Sequence, residues 1–595
     1  MYATSRLLGV LTLFALVLSL PVLLATPASG ADQDWQRVRI HDTTRDDNIR
    51  FLEQGYDLLA TRPREWTDLY VPAEVAASLA ASGQEVERLS DPPTRYPDYY
   101  TTYPEMLSQL QAWVTAYPEI TLLEDIGDAW GKIYASFDYP AHDIWALKIS
   151  DNAATDEAEP VILYTGVHHA REPASLSICM AIIEHLLTGY GSDPDITSWI
   201  DEHEIWVVPN VNPDGQWCCY SLDETMWRKN VRDNDGDGEI TMPYWWYWPD
   251  GVDPNRNYAW EWGGEGASHD ENSEVYCGPS AFSEPETQAT RMLHERELPV
   301  FTFDFHSSGE LVLYPYGYDE TTVAPDAALL SQVAVAVANE IPRWSGGNYT
   351  PEQANDLYPA AGGSLDWEYG ALNTFGYVIE TCTDFYPGEA ELNHAVAGNV
   401  QGAMVLQERV DGPGLRGTIR ANGEPVEGTI TILGLDNPPL NTPRRSHATL
   451  GDYYRLLMPG TYDVQFDVAG WDPILVEDVV IGSDTYTVLD ADFGMSDVAD
   501  DAAREAVVAN GFAVYPTCVH AGARLTFRLP EGAETATLRV LDVSGRLVAD
   551  LSASAQAAQG ALSWSPHGGL TAGVYYAQLG GGSIEQARRF VVLPR

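Results

Sequence analysis

The sequence predicts an α/β domain with a largely buried sheet, followed by two small β-sandwiches. Short apolar runs such as Val161 to Thr165 and Val300 to Phe305 alternate with stretches of helical period in the middle of the chain. Strands buried on both faces read as such unbroken runs. Beyond Asp411-Gly412-Pro413-Gly414 the pattern shortens to strands between Gly-rich turns. A chain of 595 residues also exceeds what one core can organise.

Residues 1–30 read as an export signal. Arg6 precedes the apolar run Leu7 to Leu24, and Pro27-Ala28-Ser29-Gly30-Ala31 offers small residues for cleavage. A membrane anchor is the alternative; the switch to Asp32-Gln33-Asp34 opposes it. Residues 31–92 form a small α/β unit or pro-segment, with helical stretches at Ile49 to Leu59 and Pro72 to Ala81, a strand at Trp66 to Val71, and a Pro-rich joint at Ser90-Asp91-Pro92-Pro93. Residues 93–410 form the α/β domain. Its strands are expected at Ile144 to Ile149, Val161 to Thr165, Ile205 to Pro209, Val300 to Phe305 and Tyr377 to Glu380. Its helices are expected at Tyr103 to Tyr117, Leu176 to Leu187, Glu284 to Arg296 and Glu391 to Arg409. In 413–495, Gly428 to Leu433 reads as a strand, and Tyr453 to Leu457 with Thr461 to Val468 reads as a hairpin about Met458-Pro459-Gly460. Asp497 to Asp501 leads into 500–595, with strands at Leu525 to Leu529, Ala536 to Val543, Gly560 to Trp564, Gly573 to Leu579 and Gln586 to Leu593.

Net charge is -54, from 87 acidic and 33 basic residues. Such a surface repels nucleic acid and anionic membranes and suits a salty medium, where screening relieves self-repulsion; calcium binding and simple solubility are the alternative readings of the acidity. No segment after the leader approaches the length of a spanning helix. Six cysteines in an exported chain permit disulfides, and Cys218 or Cys219 with Cys277 is the expected pair.

His169 and Glu172 stand three apart just after the apolar run Val161 to Thr165. An imidazole and a carboxylate on one short turn suit zinc. His306 follows the apolar strand Phe301 to Phe305 and is the candidate third ligand, emerging where open α/β sheets bind their ligands. Glu380 ends the strand Phe375 to Ile379, where an unpaired carboxylate is costly to bury unless it serves as a base. A structural hydrogen bond for either histidine and an ordinary strand-end glutamate are the alternatives.

Several blocks, in order, resemble the zinc metallocarboxypeptidases of the carboxypeptidase A/B/T family, nearest to the bacterial branch. They are Gly-Val-His-His-Ala-Arg-Glu at 166–172, Asn-Pro-Asp-Gly at 212–215, Trp-Arg-Lys-Asn at 227–230, Gly-Val-Asp-Pro-Asn-Arg-Asn-Tyr at 251–258, Gly-Pro-Ser-Ala-Phe-Ser-Glu-Pro-Glu at 278–286, Leu-Tyr-Pro-Tyr-Gly-Tyr at 313–318, Gly-Gly-Ser-Leu-Asp-Trp at 362–367 and Ile379-Glu380. The resemblance spans Tyr99 to Arg409. It implies a mixed, mostly parallel β-sheet flanked by helices, and one zinc ion held by His169, Glu172 and His306. It makes Glu380 the base toward the attacking water, Arg228 the holder of the oxyanion, and Asn255 with Arg256 the grip on a peptide's terminal carboxylate. It makes Tyr358 a mobile cover and Arg171 an auxiliary carboxylate-binding residue. Leu365 stands where the family's basic-specific members carry an acid. With Leu313, Gly317, Gln353, Ala360 and Val378 it implies an uncharged pocket for hydrophobic or aromatic C-terminal residues, with Gln353 and Asp384 leaving mixed preference open.

Asp233, Asp235, Asp237 and Glu239 resemble the front half of a calcium loop, with Tyr244 at the twelfth position where such loops carry Glu. Ca²⁺ and a solvent-facing acidic turn are the two readings. The nearby run Tyr244 to Trp248 is expected to pack this insert down. Residues 415–493 resemble carboxypeptidase regulatory-like β-domains. Residues 510–595 resemble Ig-like sorting domains of exported bacterial proteins, through Val514-Tyr515-Pro516, Leu541 to Arg546 and Ala572 to Tyr576. They depart from that pattern at Pro516-Thr517-Cys518 and end in Arg595, and a plain structural or surface-adhesion sandwich is the alternative. The expectation is a secreted enzyme acting on peptide C-termini, with secretion machinery or a cell surface as a further partner and residues 32–92 shielding the cleft until cleaved. The alternatives are an amidase for cell-wall or isopeptide-linked peptides and a decayed surface-binding protein.

Overall fold

The computed structural model describes residues 35–134, 139–241, 249–494 and, between 513 and 593, chiefly the strands of a last β-region. The export signal, the run Tyr244 to Trp248, the lead-in Asp497 to Asp501 and part of the sorting-type marks lie outside the described residues.

The central sheet has eight strands in the order Thr350–Gln353, Leu311–Tyr314, Phe375–Thr381, Phe301–Ser307, Val161–Gly166, Glu204–Val208, Asp143–Ile149 and Thr121–Asp128. The middle four run parallel, and antiparallel ladders join Leu311–Tyr314 to Phe375–Thr381 and link the last three strands. It is a mixed sheet flanked by helices. Alternation sorts its side chains. Ile162, Tyr164, Ile205, Val207 and Phe303 join one core with helices Tyr103–Ala116, Pro173–Gly189, Ala327–Glu340 and Glu389–Arg409. Val161, Leu163, Trp206 and Val208 face the opposite core, against Ala289 and Leu293 of helix Pro285–Glu297.

Residues 35–88 fold as a four-stranded sheet in the order Asp57–Arg62, Trp66–Pro72, Trp35–His41 and Val86–Arg88, with helices Arg45–Glu53 and Ala73–Ala81. The helix expected over Ile49 to Leu59 stops at Glu53, and Asp57–Arg62 pairs with Trp66–Pro72 instead. The helix start is fixed by a capping box, Thr44 with Asp47.

The region 414–493 has two facing sheets around one core. The expected hairpin is not one: Asp452–Leu456 pairs with Gly414–Ala421, whereas Gly460–Asp467 pairs with Thr429–Leu433 and Ile474–Ile481. Met458-Pro459-Gly460 is therefore a corner between sheets. This sandwich is locked to the α/β domain. Arg455, wholly buried, pairs with Asp326 of that domain at 2.8 Å and with Asp436 at 2.9 Å. Arg444 donates to the carbonyls of Pro299 at 3.0 Å and Leu372 at 3.3 Å, where two helices end. A cation suits that position. Tyr454 and Leu456 complete the α/β domain's own core. The last region packs a three-stranded and a five-stranded sheet around a separate core.

The expected disulfide is absent. Cys218, Cys219 and Cys277 are buried free thiols, Cys219 Sγ 3.6 Å from the Trp227 carbonyl and Cys277 Sγ 3.6 Å from His269 Nδ1. Hydrogen bonds hold the excursion between them instead, Asn257 Nδ2 donating to the carbonyls of Cys277 at 2.8 Å and Ser280 at 3.0 Å.

Candidate active site

Three adjacent parallel strands end at one edge, and each delivers part of the site. After Val161–Gly166 the chain turns at Val167, whose φ of 57° lies in the left-handed region. A β-branched residue there costs on the order of 1–3 kcal/mol. Asn212 caps helix Pro213–Ser221, and its Nδ2 donates to the carbonyls of His168 at 3.2 Å and Lys229 at 3.1 Å. The Asn-Pro-Asp-Gly block thus ties the His168-His169 turn to the segment carrying Arg228. His306 lies in the second strand and Glu380 in the third, directly paired in register.

His169 Nδ1 stands 2.8 Å from Glu172 Oε1, and His306 Nδ1 stands 3.0 Å from Glu172 Oε2 and 3.2 Å from His169 Nδ1. All three residues are buried. Two imidazole nitrogens facing each other so closely repel unless a proton or cation lies between them. For zinc ligands about 2.0–2.1 Å from the ion, a tetrahedron has edges of roughly 3.3 Å. The donor set therefore fits zinc. Burial and Arg228 hold His169 below its ordinary value, favouring the neutral ring that a metal needs. Burial alone would raise Glu172, but His169 and His306 hold it well below the usual carboxylate range. Burial opposes protonation of His306, whereas Glu172 favours it and raises its value.

Asp253 is a residue that sequence reasoning passed over. Its Oδ1 stands 3.1 Å from His169 Nε2, and its Oδ2 accepts from Arg228 Nη2 at 2.8 Å and Nε at 3.1 Å. One carboxylate therefore orients a ligand ring and the candidate oxyanion holder together. Its only signal was its place in Gly-Val-Asp-Pro-Asn-Arg.

A cavity of about 840 Å³ opens over these groups. Glu380 faces it half-buried, with no hydrogen bond to its carboxylate among the described residues. Burial, with Glu172 adding and His306 opposing, pushes it up to about 7. Arg256 is 5% exposed, donates to the carbonyls of Asn255 at 2.8 Å and Gly266 at 3.1 Å, and has no carboxylate partner among the described residues. A buried cation without an anion is costly, so this one is poised for an anionic guest. Asn255 Oδ1 accepts from the Ser364 amide at 2.9 Å, and its Nδ2 stands 3.3 Å from His306 Nε2. Tyr358 lines the same cavity.

Leu313, Gly317, Ala360, Leu365 and Val378 line the cavity. Gln353 does not; its amide donates to the carbonyls of Tyr316 at 3.2 Å and Thr322 at 3.4 Å, and Ala354 takes its place in the wall. Asp384 is likewise turned away, paired with Arg37 at 2.6 Å. Arg171 is engaged rather than free, 3.1 Å from Glu274 Oε1. Asp233, Asp235 and Asp237 gather as expected, while Glu239 stands outside the group. All three accept backbone N–H groups at 2.6–3.0 Å, which hold the turn.

A family profile described as zinc carboxypeptidase matches residues 106–402. A zinc carboxypeptidase from Saccharothrix mutabilis subsp. capreolus is 30% identical over 407 residues, covering 63% of this chain and 88% of that protein. Carboxypeptidase A4 of Mus musculus is 30% identical over 282 residues, covering 47% of this chain and 62% of that protein. The crystal structure of carboxypeptidase A from Helicoverpa armigera has a TM-score of 0.52 at 22% identity, covers 63% of this chain and 97% of its own, and shares the fold. Profile, relatives and fold agree: the chain belongs to the zinc carboxypeptidase family, a family of metal-dependent hydrolases.

Proposed function

We propose that this protein is exported and removes C-terminal residues from peptides, preferring hydrophobic or aromatic ones. The observation that carries the reading is the convergence on one cavity of His169, Glu172, His306, Glu380 and a buried Arg256 lacking an acidic partner among the described residues. Arg256 and Asn255 take the terminal carboxylate, and a guanidinium fork matches its two oxygens. That grip sets the scissile bond one residue in. Leu313, Leu365 and Val378 surround the terminal side chain with apolar surface. Asp366, the acid next to Leu365 in the cavity lining, accepts the Gly317 amide at 2.8 Å and is pushed up to about 7 by burial, so it is a weak counter-charge for a basic side chain. Zinc held by His169, Glu172 and His306 would supply Lewis acidity to the scissile carbonyl and the attacking water. Glu380 takes a proton from that water and returns it to the leaving nitrogen. Arg228, fixed by Asp253, donates to the oxygen as charge develops there. Tyr358 closes the pocket from the side of Arg256. Export rests on the leader-like residues 1–30, and residues 35–88, which roof the cavity, act as a cover.

Hydrolysis of blocked dipeptides ending in Phe, Leu, Arg or Glu tests the reading. Release of Phe and Leu should vanish with a zinc chelator and fall by at least about 10²-fold in Glu380→Gln. Preference for Arg would overturn the pocket assignment. Full activity in Glu380→Gln would overturn the mechanism.

A further inference from the structure

We propose that Asp57 and Glu274 form a proton-dependent latch that holds the N-terminal domain over the cleft and loosens as pH rises. The inference rests on reading that domain as a removable cover. Strand Asp57–Arg62 is its cavity-facing edge, and Tyr56 to Thr61 line the same cavity as His169 and Glu380.

The other charged contacts across this interface set each carboxylate against an arginine, Glu65 lying between Arg62 and Arg343. Arg37 pairs with Asp384 at 2.6 Å, Arg45 with Glu320 at 2.7 Å, Glu65 with Arg343 at 3.5 Å, and Arg62 with Glu310. Each has a permanent cation opposite an acid. Asp57 is different, because it meets a second acid. Arg171 Nη1 stands 3.1 Å from Glu274 Oε1 while its Nη2 stands 3.9 Å from Asp57 Oδ1, so two carboxyls crowd one guanidinium. Two carboxylates held by one cation repel each other, and a proton taken up by the pair relieves that repulsion.

The remaining side chains do not supply the missing charge. Arg228 is the other cation facing the pair, and Asp253 already engages it. Glu53 and Glu224 line the same cavity and bring no cation to it. Burial and Glu274 push the Asp57 carboxyl well up, against the pull of Arg171. Burial would raise Glu274 too, but Arg171 brings it down, so within the pair the raised carboxyl is that of Asp57. That placement sets the direction of the pH response. A group whose value is raised in the docked state supports docking fully below its free value, and that support fades as pH climbs toward the raised one. Opening lets Asp57 ionise in water and leaves Glu274 alone with Arg171. One linked proton changes the opening equilibrium by up to about tenfold per pH unit.

Hydrogen–deuterium exchange of the full chain between pH 5 and 9 tests this, with each rate divided by the intrinsic rate at that pH. Protection across 57–62 should fall with rising pH by up to about tenfold per unit over part of the range, while helix 173–189 stays level as an internal reference. Asp57→Asn keeps the shape, donates to Glu274 without a titrating proton and should give a flat profile. Glu274→Gln, which leaves Asp57 to pair with Arg171 alone, should flatten it as well. A flat wild-type profile, or an unchanged slope in Asp57→Asn, would overturn the latch. The readout is structural, so failure of the peptidase reading would appear separately, as absent hydrolysis with the exchange profile intact.

Discussion

Asp253 spends one oxygen on His169 and the other on Arg228, which couples the geometry of a zinc ligand to that of the oxyanion holder. Asp253→Asn should therefore lower zinc affinity and kcat/KM together, each by about 10–100-fold, measurable by chelator competition and steady-state kinetics. A loss in kcat/KM with unchanged zinc affinity would mean that only Arg228 depends on it. Glu380 gives the pH prediction. As a base it must be ionised, and burial pushes it up to about 7, so kcat/KM should rise through that pH. An acid limb near the ordinary glutamate range, about 4.3, would contradict the environment described. The candidate ligands were legible because His169, Glu172 and His306 flank apolar strands, where such residue types are out of place. Asp253 was not, because an aspartate before proline is common turn chemistry. Glu274 was hidden for another reason: the acid that shares Arg171 with it, Asp57, belongs to a different domain.

At the scale of elements, alternation divides strand Phe375–Thr381 between core and chemistry. Phe375, Tyr377 and Ile379 enter the main core, and Val378 and Glu380 face the cavity. This period was readable from the apolar run itself. The strands that escaped it are Thr121–Asp128, at one sheet edge, and Thr350–Gln353 with its neighbour Leu311–Tyr314 at the other. Edge strands need not be apolar throughout, and Thr-Pro-Glu-Gln has no strand period to find. The helix boundary near Asp57 failed similarly, since Leu58-Leu59-Ala60 is too short to separate strand from helix. The loop before helix Ser364–Leu372 illustrates backbone demand. Gly362 has φ of +77°, and a Cβ there would lie 2.5 Å from the Arg256 carbonyl oxygen. Gly362→Ala should destabilise by about 1–3 kcal/mol and raise KM as the Arg256 segment shifts. Thermal unfolding with kinetics checks both, and an unchanged KM would separate the loop from the carboxylate grip.

Across the whole molecule, the first β-sandwich is part of the catalytic unit. Arg455 is its pin, enclosed with Asp326 and Asp436. Arg455→Met would leave those acids buried and unpaired and should cost about 3–5 kcal/mol, seen as a lower Tm for the transition that includes the α/β domain. A Tm loss confined to the sandwich would show that the two domains unfold independently. The joint at Asp411-Gly412-Pro413-Gly414 was plain in the sequence; the intimacy across it was not, because single arginines in a β-rich stretch do not reveal what they face.

That intimacy bears on ancestry. If tails are exchanged between related chains by recombination, the natural cut is the Gly-Pro joint, yet a foreign tail arriving there would bring no guanidinium for Asp326 and no Tyr454 or Leu456 for the core. Offspring of such a cut would be selected against. Lineages carrying this arrangement should therefore inherit residues 93–494 as one block and shuffle only the last β-region.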